Sequence, residues 1–352
     1  MQRRLCGRWM LAAGVLGMAN AWPAAATEPG ALDPATLVAR VQEASQRHSY
    51  TGTYVVSAGG SLTSARIAHV SEGRDQFERI EALDGQMRHL YRHNDLIHIV
   101  WPKTHEAIVQ PREVTGDFPS PPLGAHLHGG LAMYELLPLG SDRVAGLDAQ
   151  IYTFRPRDHL RFGQRWWLDR SSHLLLRIDL INERGEVLES AAFSELQLGG
   201  RASSAQMVQQ MNKLEGFKVQ RPALTRTTLE REGWTMKAPV SGFEIVLCLR
   251  RPLLGASPRE MVSATSPEAP PSGATPDPGK TLLQAVYGDG LTQVSLFIEP
   301  YNPELHRSEA PVMMGATHAL ARRLGDWWIT AVGDVPVATL KQLTLALERR
   351  KG

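Results

Sequence analysis

The chain is poor in cysteine, with only Cys6 and Cys248 among 352 residues. It also lacks a Gly-rich phosphate loop, a G-x-S-x-G elbow and a C-x-x-C pair. His105-Glu106 begins like a zinc-protease helix, but Val109 stands where the second histidine would have to be, so that motif fails. After the first residues, no stretch reaches the about 18–20 apolar residues that a membrane helix needs. Charge of one sign is scarce too, the formal net charge being +2. Nucleotide-binding, thiol-redox and nucleic-acid classes therefore have nothing to rest on.

The N-terminus reads as an export signal. Arg3, Arg4 and Arg8 precede the short apolar run Trp9–Met18, and Ala24-Ala25-Ala26 is a small-residue cleavage site. Removing residues 1–26 takes away three arginines and no acid, which leaves a net charge of −1. Cys6 leaves with the signal. Cys248 is then alone, so no internal disulfide is available in an oxidising compartment and the fold rests on packing. Within the apolar run Phe243–Leu249 it is expected to behave as a small buried hydrophobe.

What is present is mostly strand. Asp33-Pro34 caps a helix with Leu37, Val38, Val41 and Ala44 on one side, ending near His48. Short strands follow at 50–57, 66–70, 76–82, 87–92, 96–101 and 107–110, with Gly59-Gly60, Asp84-Gly85 and His93-Asn94-Asp95 as turns. Residues 111–150 are rich in Pro and Gly and read as one long functional connection. Strands resume at 149–154 and continue through 164–198, and a short helix is expected over 202–214. The spacing predicts an antiparallel sheet, strongly curved. A second domain begins near residue 229, with a strand at 243–249, hairpins at 282–299 and 318–332, and a terminal helix striped by Val337, Leu340, Leu343 and Leu347. Residues 255–280 are low-complexity and are expected to form a disordered loop. The expected plan is signal 1–26, large β domain 27–215, linker 216–228 and small α+β domain 229–352.

No catalytic constellation stands out. His89, His93, His98 and His105 crowd one region, but four strand residues span about 13 Å, too far for His89 and His93 to share an ion. No metal site and no cofactor is assigned. Two features remain. Ile97, Ile99 and Trp101 alternate with His98 and Val100, and Trp166 and Leu168 with Trp167, so apolar rows occupy both sheet faces. They serve either as core under the helices or as a groove for acyl chains or an apolar peptide. Phe118, Leu127 and Leu131, with Leu123, Met133 and Tyr134, would form its lid. The second feature is basic: Arg155, Arg157, Arg161 and Arg165, and separately Arg250-Arg251, are either solvated or suited to an acidic segment or lipid head group.

Several stretches resemble the MucB/RseB family. "YTGTYVV", "SARIAHV" and "ERIEALDG" are similar to its N-terminal strands, and "RWWLDRSSHLLLRIDLINERGEVLES" to its central hairpins. "GWTMKAPVSGFEI", "LRRPL" and "YGDGLTQVSLFIEP" resemble its smaller domain. The likeness covers the whole exported chain. Residues 255–280 depart from it, being longer than the family usually carries. The resemblance implies an α+β protein: a half-open antiparallel β-barrel with helices, lipoprotein-carrier-like, plus a small domain of antiparallel sheet and C-terminal helix. It implies a periplasmic protein that is not an enzyme. Such a protein binds the periplasmic region of a membrane-bound anti-sigma factor, shields it from regulated proteolysis and releases it on lipid-like signals. The partner would meet the linker and second domain, Arg250 and Arg251 included. An acyl-chain or lipopolysaccharide-like ligand would use Ile97, Ile99, Trp101, Phe118, Leu127, Leu131, Trp166 and Leu168. No nucleic acid is expected, and homo-oligomerisation stays open. The alternatives are a periplasmic lipid or lipoprotein carrier using the same groove, and a hydrolase whose nucleophile and base only the fold would bring together.

Overall fold

The computed structural model describes residues 33–85, 87–112, 127–200, 202–252, 281–306 and 308–350. Helix α1 (Pro34–Arg47) starts as expected: the Asp33 carboxylate accepts from the Ala35 and Thr36 amides, and proline occupies the first turn, where its missing N–H costs nothing. Its buried side is Leu37, Val38, Val41 and Ala44.

A meander follows: β1 (Tyr50–Ala58), β2 (Ser61–Glu72), β3 (Asp75–Ala82), β4 (His89–His93), β5 (Leu96–Trp101) and β6 (Glu106–Pro111). Gly59 and Gly60 both take positive φ, 55° and 83°, the geometry that a two-residue hairpin turn demands. After the short helix α2 (His128–Leu131) come β7 (Tyr134–Val144), β8 (Leu147–Pro156), β9 (Gly163–Asp169), β10 (Leu175–Ile181) and β11 (Val187–Leu198), then α3 (Ser204–Asn212) and β12 (Lys218–Gln220). They form one 12-stranded sheet in the order β12-β6-β5-β4-β3-β2-β1-β11-β10-β9-β8-β7, antiparallel except for the β12–β6 pair. The sheet is not closed: β12 and β7 are its two ends.

Strand β7 lies inside the stretch read as a long connection, which corrects that expectation. Pro138 and Gly140 signalled loop, but β7 is an edge strand, where proline need not donate to a neighbour, and a bulge between Pro138 and Gly140 absorbs the irregularity. The expected lid residues Phe118 and Leu123 lie outside the described residues, as do 1–26 and 255–280.

The second sheet runs β13 (Thr225–Arg226), β14 (Trp234–Met236), β15 (Glu244–Pro252), β16 (Thr281–Gly288), β17 (Gln293–Pro300), β18 (Val312–Met314), β19 (Thr317–Leu324), β20 (Trp327–Gly333), α4 (Val337–Ala346) and β21 (Leu347–Arg349). Seven of these strands pair in the order β13-β15-β16-β17-β20-β19-β18, and β14 pairs with β21. Helix α4 buries Leu340 and Leu343 against Leu296, Ile329 and Ala331. Leu347, expected on the helix, is buried in the same cluster but begins β21. Trp234 meets Trp327 edge to face at 5.5 Å, with the Arg349 guanidinium over both rings. The architecture is thus mixed α+β, with a large open sheet and a smaller antiparallel sheet backed by a C-terminal helix. Cys248 is buried, as its apolar run predicts, and burial pushes its thiol up to about 11. It is therefore a thiol, not a thiolate, at neutral pH.

Candidate functional site

Each face of the large sheet carries a helix, and on the face opposite α3 Ala44 of α1 packs with Tyr50, Ile67, Leu174 and Phe193. Helix α3 lies on one face: Met207 packs on Ala68, Val70 and Phe77, and Met211 on Tyr91, Val100 and Ala107. His98 belongs to this side and bonds through Nδ1 to the Met211 carbonyl oxygen at 2.8 Å. The alternation in β5 therefore turns His98 and Val100 under α3. Ile97 and Ile99 face the other way and stay half-buried, while Trp101 is buried. Cross-strand register puts Leu90, Ile80 and Ile67 beside Ile99 on that second face.

Next to the apolar row runs a polar one. Ile97 is registered with Arg92, Arg92 with Glu78, Glu78 with His69, and His69 with Tyr50. Arg92 donates to Glu78 Oε2 at 2.9 Å, His69 Nδ1 lies 3.4 Å from the same oxygen, and Tyr50 stacks on His69 at 5.1 Å. Burial pushes the Glu78 carboxyl up, but Arg92 and the His69 hydrogen bond more than offset it and hold it below its ordinary range. Burial and the Glu78 charge raise the Tyr50 hydroxyl, which stays protonated.

Trp166 and Leu168 are 0% and 1% exposed. Trp166 stacks obliquely on Phe154 at 4.6 Å and donates from its indole to Gln164. These two side chains are packed interior rather than open wall. Sequence alternation could not separate the cases, because both faces of β9 carry large apolar groups.

Leu127 and Leu131 are buried as well, and helix α2, which Leu127 precedes, meets the β16–β17 turn of the second sheet at Gly130. A Cβ on Gly130 would come within 2.1 Å of the Asp289 carbonyl oxygen. Here the sheets join. Arg161 donates through Nη1 to Asp289 Oδ2 at 3.1 Å, through Nη2 to the Ser241 carbonyl at 2.6 Å, and through Nε to Asp158 at 3.1 Å. Tyr134 donates its hydroxyl to Asp289 Oδ2 at 2.8 Å. Asp289 Oδ1 accepts the Leu291 and Thr292 amides, and Gln164 reaches the Leu291 carbonyl. Burial drives the Asp289 carboxyl up, while Arg161, the two amides and Tyr134 pull it down, leaving it raised. Phe162 adds an edge-to-face contact with His318 at 5.5 Å.

The basic candidates divide accordingly. Arg161 is spent inside the chain on Asp289. Arg155 pairs with Glu135 at the surface. Arg250 is exposed and pairs with Glu232 at 2.6 Å, whereas Arg251 is buried and donates to Gln284 at 2.8 Å. Of the two arginines suggested for partner contact, only Arg250 presents its head group at the surface.

A further perturbed carboxyl sits at the end of β17. Glu299 is buried, and burial alone pushes its carboxyl up to about 7. The Asn302 amide donates to His306 Nδ1, so the imidazole carries its proton on Nε2, 3.5 Å from Glu299, and it stacks on Trp328 at 4.8 Å. A carboxyl with a raised folded value makes its full contribution below about 4.5 and loses it as pH rises through about 7. Glu299→Gln should therefore be nearly neutral at pH 4.5 and stabilising by about 2–3 kcal/mol at pH 8. Urea unfolding at the two pH values checks this; an equal effect at both would refute the assignment.

No helix among the described residues is long and apolar enough to cross a membrane. Among those residues no group of three or more His, Cys, Asp or Glu could hold a metal ion.

The comparisons bear on both sheets. The model of the MucB/RseB N-terminal domain matches residues 33–211, and that of the C-terminal domain matches 228–348. The sigma factor AlgU regulatory protein MucB of Pseudomonas aeruginosa is 29% identical over 324 residues, 90% of this chain and 91% of that protein. The sigma-E factor regulatory protein RseB of Haemophilus influenzae is 20% identical, over 88% of this chain and 90% of that protein. Among solved structures, MucB in complex with MucA(peri) superposes with a TM-score of 0.65 at 25% identity, covering 91% of this chain and all of that one. With both of its domain models matched in order across the two sheets, the chain belongs to the MucB/RseB family.

Proposed function

We propose that this chain is a periplasmic regulator that binds the periplasmic region of a membrane-bound anti-sigma factor. Bound there, it shields that region from regulated proteolysis, and lipid-like envelope signals release it. The observation that carries the reading is the likeness, across both sheets, to MucB as it was solved with MucA(peri). The reading places cleavage after Ala26, a large domain over 27–215 and a small one over 229–352. The test uses the cognate anti-sigma periplasmic region and the protease that first cuts it. Saturating regulator should slow the cut at least tenfold, and an unchanged rate would sink the proposal.

The lipid side rests on a half-buried apolar row of the large sheet. Ile97 and Ile99 are half-buried on the face away from α3, beside Leu90 and Ile80. An acyl chain would lie along this row. Trp101, Trp166, Leu168, Leu127, Leu131 and Phe118 belong to the same proposed set. If lipid enters here while the partner is held elsewhere, lipid must favour an arrangement of lower partner affinity. Ile99→Arg should then abolish lipid-driven release and leave partner affinity within about threefold. Titrating the complex with short-chain lipopolysaccharide reads this out. A folded variant that still releases normally would remove the groove from the mechanism. A carrier draws on the same row, but it would move lipid between vesicles without any anti-sigma partner.

A further inference from the structure

The second sheet has an unfinished edge. Strand β13 pairs with β15 only at Thr225–Arg250 and Arg226–Leu249, and the Thr227 amide then bonds to the Cys248 carbonyl. There the chain leaves the sheet. Among the described residues no strand lies on the outer side of Glu244–Leu247. The space beside those residues is a groove of about 580 Å³, closed on its far wall by Thr228, Leu229, Glu230, Met236 and Pro239. That volume falls in the usual range of ligand clefts, about 300–1,000 Å³. Its floor is apolar, with Phe243, Leu247 and Tyr287 buried, while Ile245 stands at the rim 47% exposed. A bulge between Ile245 and Leu247 breaks the β15 register at this point. A bare edge with an exposed large hydrophobe invites another strand, and sheet proteins usually blunt such edges with charge or cover.

We infer that the β15 edge at Glu244–Leu247 receives an extended segment of the anti-sigma partner, added as a strand in line with β13. Main-chain hydrogen bonds would supply affinity, and alternate side chains would enter the groove beside Ile245. The rim charges set the partner's chemistry. Glu230 and Glu244 line the groove and are exposed, and Arg226 stands toward the β13 end. The segment that fits has an apolar residue over the floor of Phe243, Leu247 and Tyr287, beside Ile245, and a lysine or arginine toward Glu244. The inference rests on the regulator reading and gives it a location and a binding mode.

The test is hydrogen–deuterium exchange on residues 27–352, alone and saturated with the partner's periplasmic region. It is paired with affinity and melting measurements on Ile245→Glu and Glu244→Lys. Amides of 244–247 should exchange at least tenfold more slowly in the complex. Each variant should weaken binding at least tenfold with an unchanged melting temperature, since both side chains are at the surface. A complex that forms while exchange at 244–247 stays as it was overturns the edge assignment and leaves the regulator reading standing. If no complex forms at all, the regulator reading fails and the edge assignment falls with it. The exchange measurement needs no variant, so it decides the question even if a substitution disturbs folding.

Discussion

Arg161→Ala should cost about 3–5 kcal/mol of stability, far more than any surface arginine in the chain. The reason is the charge it leaves behind. The side chains of Arg161 and Asp289 are both 0% exposed, and they are the ionic centre of the contact between the two sheets. With Arg161 gone, Asp289 keeps the Leu291 and Thr292 amides and the Tyr134 hydroxyl but loses its countercharge. The Asp289 carboxyl is already raised by burial, and losing Arg161 raises it further. A raised carboxyl is best tolerated at low pH and costs more as pH rises through its folded value. The loss in Arg161→Ala should therefore shrink between pH 7 and pH 5. The double variant Arg161→Met with Asp289→Asn should recover much of it, because it removes both charges while a side-chain oxygen still accepts the Leu291 and Thr292 amides. Arg47→Ala is the contrast: its pair with Glu43 is 73% and 56% exposed and should change stability by under about 1 kcal/mol. Urea unfolding at the two pH values decides the matter. A pH-independent loss, or a double variant no better than the single, would show that Asp289 is not the group left stranded.

That seam also marks where sequence reading ends. Helix α1 was legible because its signals are local: Asp33 caps, Pro34 follows, and Leu37, Val38, Val41 and Ala44 repeat at helical spacing. The hairpins were legible for the same reason, through Gly59-Gly60 and Asp289-Gly290. Asp289 is a turn residue, as the Asp289-Gly290 dipeptide between two strand-like runs predicts, and it accepts the Leu291 and Thr292 amides. Its second role depends on a guanidinium 128 positions away, and no periodicity connects the two. Sequence alone therefore groups Arg161 with Arg155, Arg157 and Arg165. Strand β7 is hidden in the sequence because Pro138 and Gly140 are loop signals that an edge strand with a bulge accommodates. Which apolar row of β5 stays half-open was undecided for a related reason: alternation fixes two faces but not the one that α3 will cover. The family resemblance supplied the partner class, which no residue pattern in the chain could have shown. The unfinished β15 edge has no sequence signal, because it is a property of where β13 stops.

Gly130→Ala should be the second severe substitution, about 3 kcal/mol or more, although it adds one methyl group. The added Cβ would sit 2.1 Å from the Asp289 carbonyl oxygen and 2.5 Å from the Asp289 carbonyl carbon and Cα. These are backbone atoms of a tight turn, so no rotamer relieves the clash. Either α2 or the β16–β17 turn must move. Movement of the turn would pull Asp289 from Arg161 and Tyr134, so Gly130→Ala and Arg161→Ala break the same contact by different routes. Their effects should be strongly non-additive, with the double variant little worse than the more severe single one. Gly185 is the control: it takes φ of +77° with nothing within 4 Å, so alanine there strains only a local turn and should be additive with Arg161→Ala. A thermodynamic cycle over the three variants checks this. Additivity at Gly130 would mean that α2 yields alone and the two sheets stay joined. Non-additivity would identify the Gly130–Asp289–Arg161 contact as one cooperative unit. That unit would then be the physical link between the two sheets that the proposed lipid-driven release calls for.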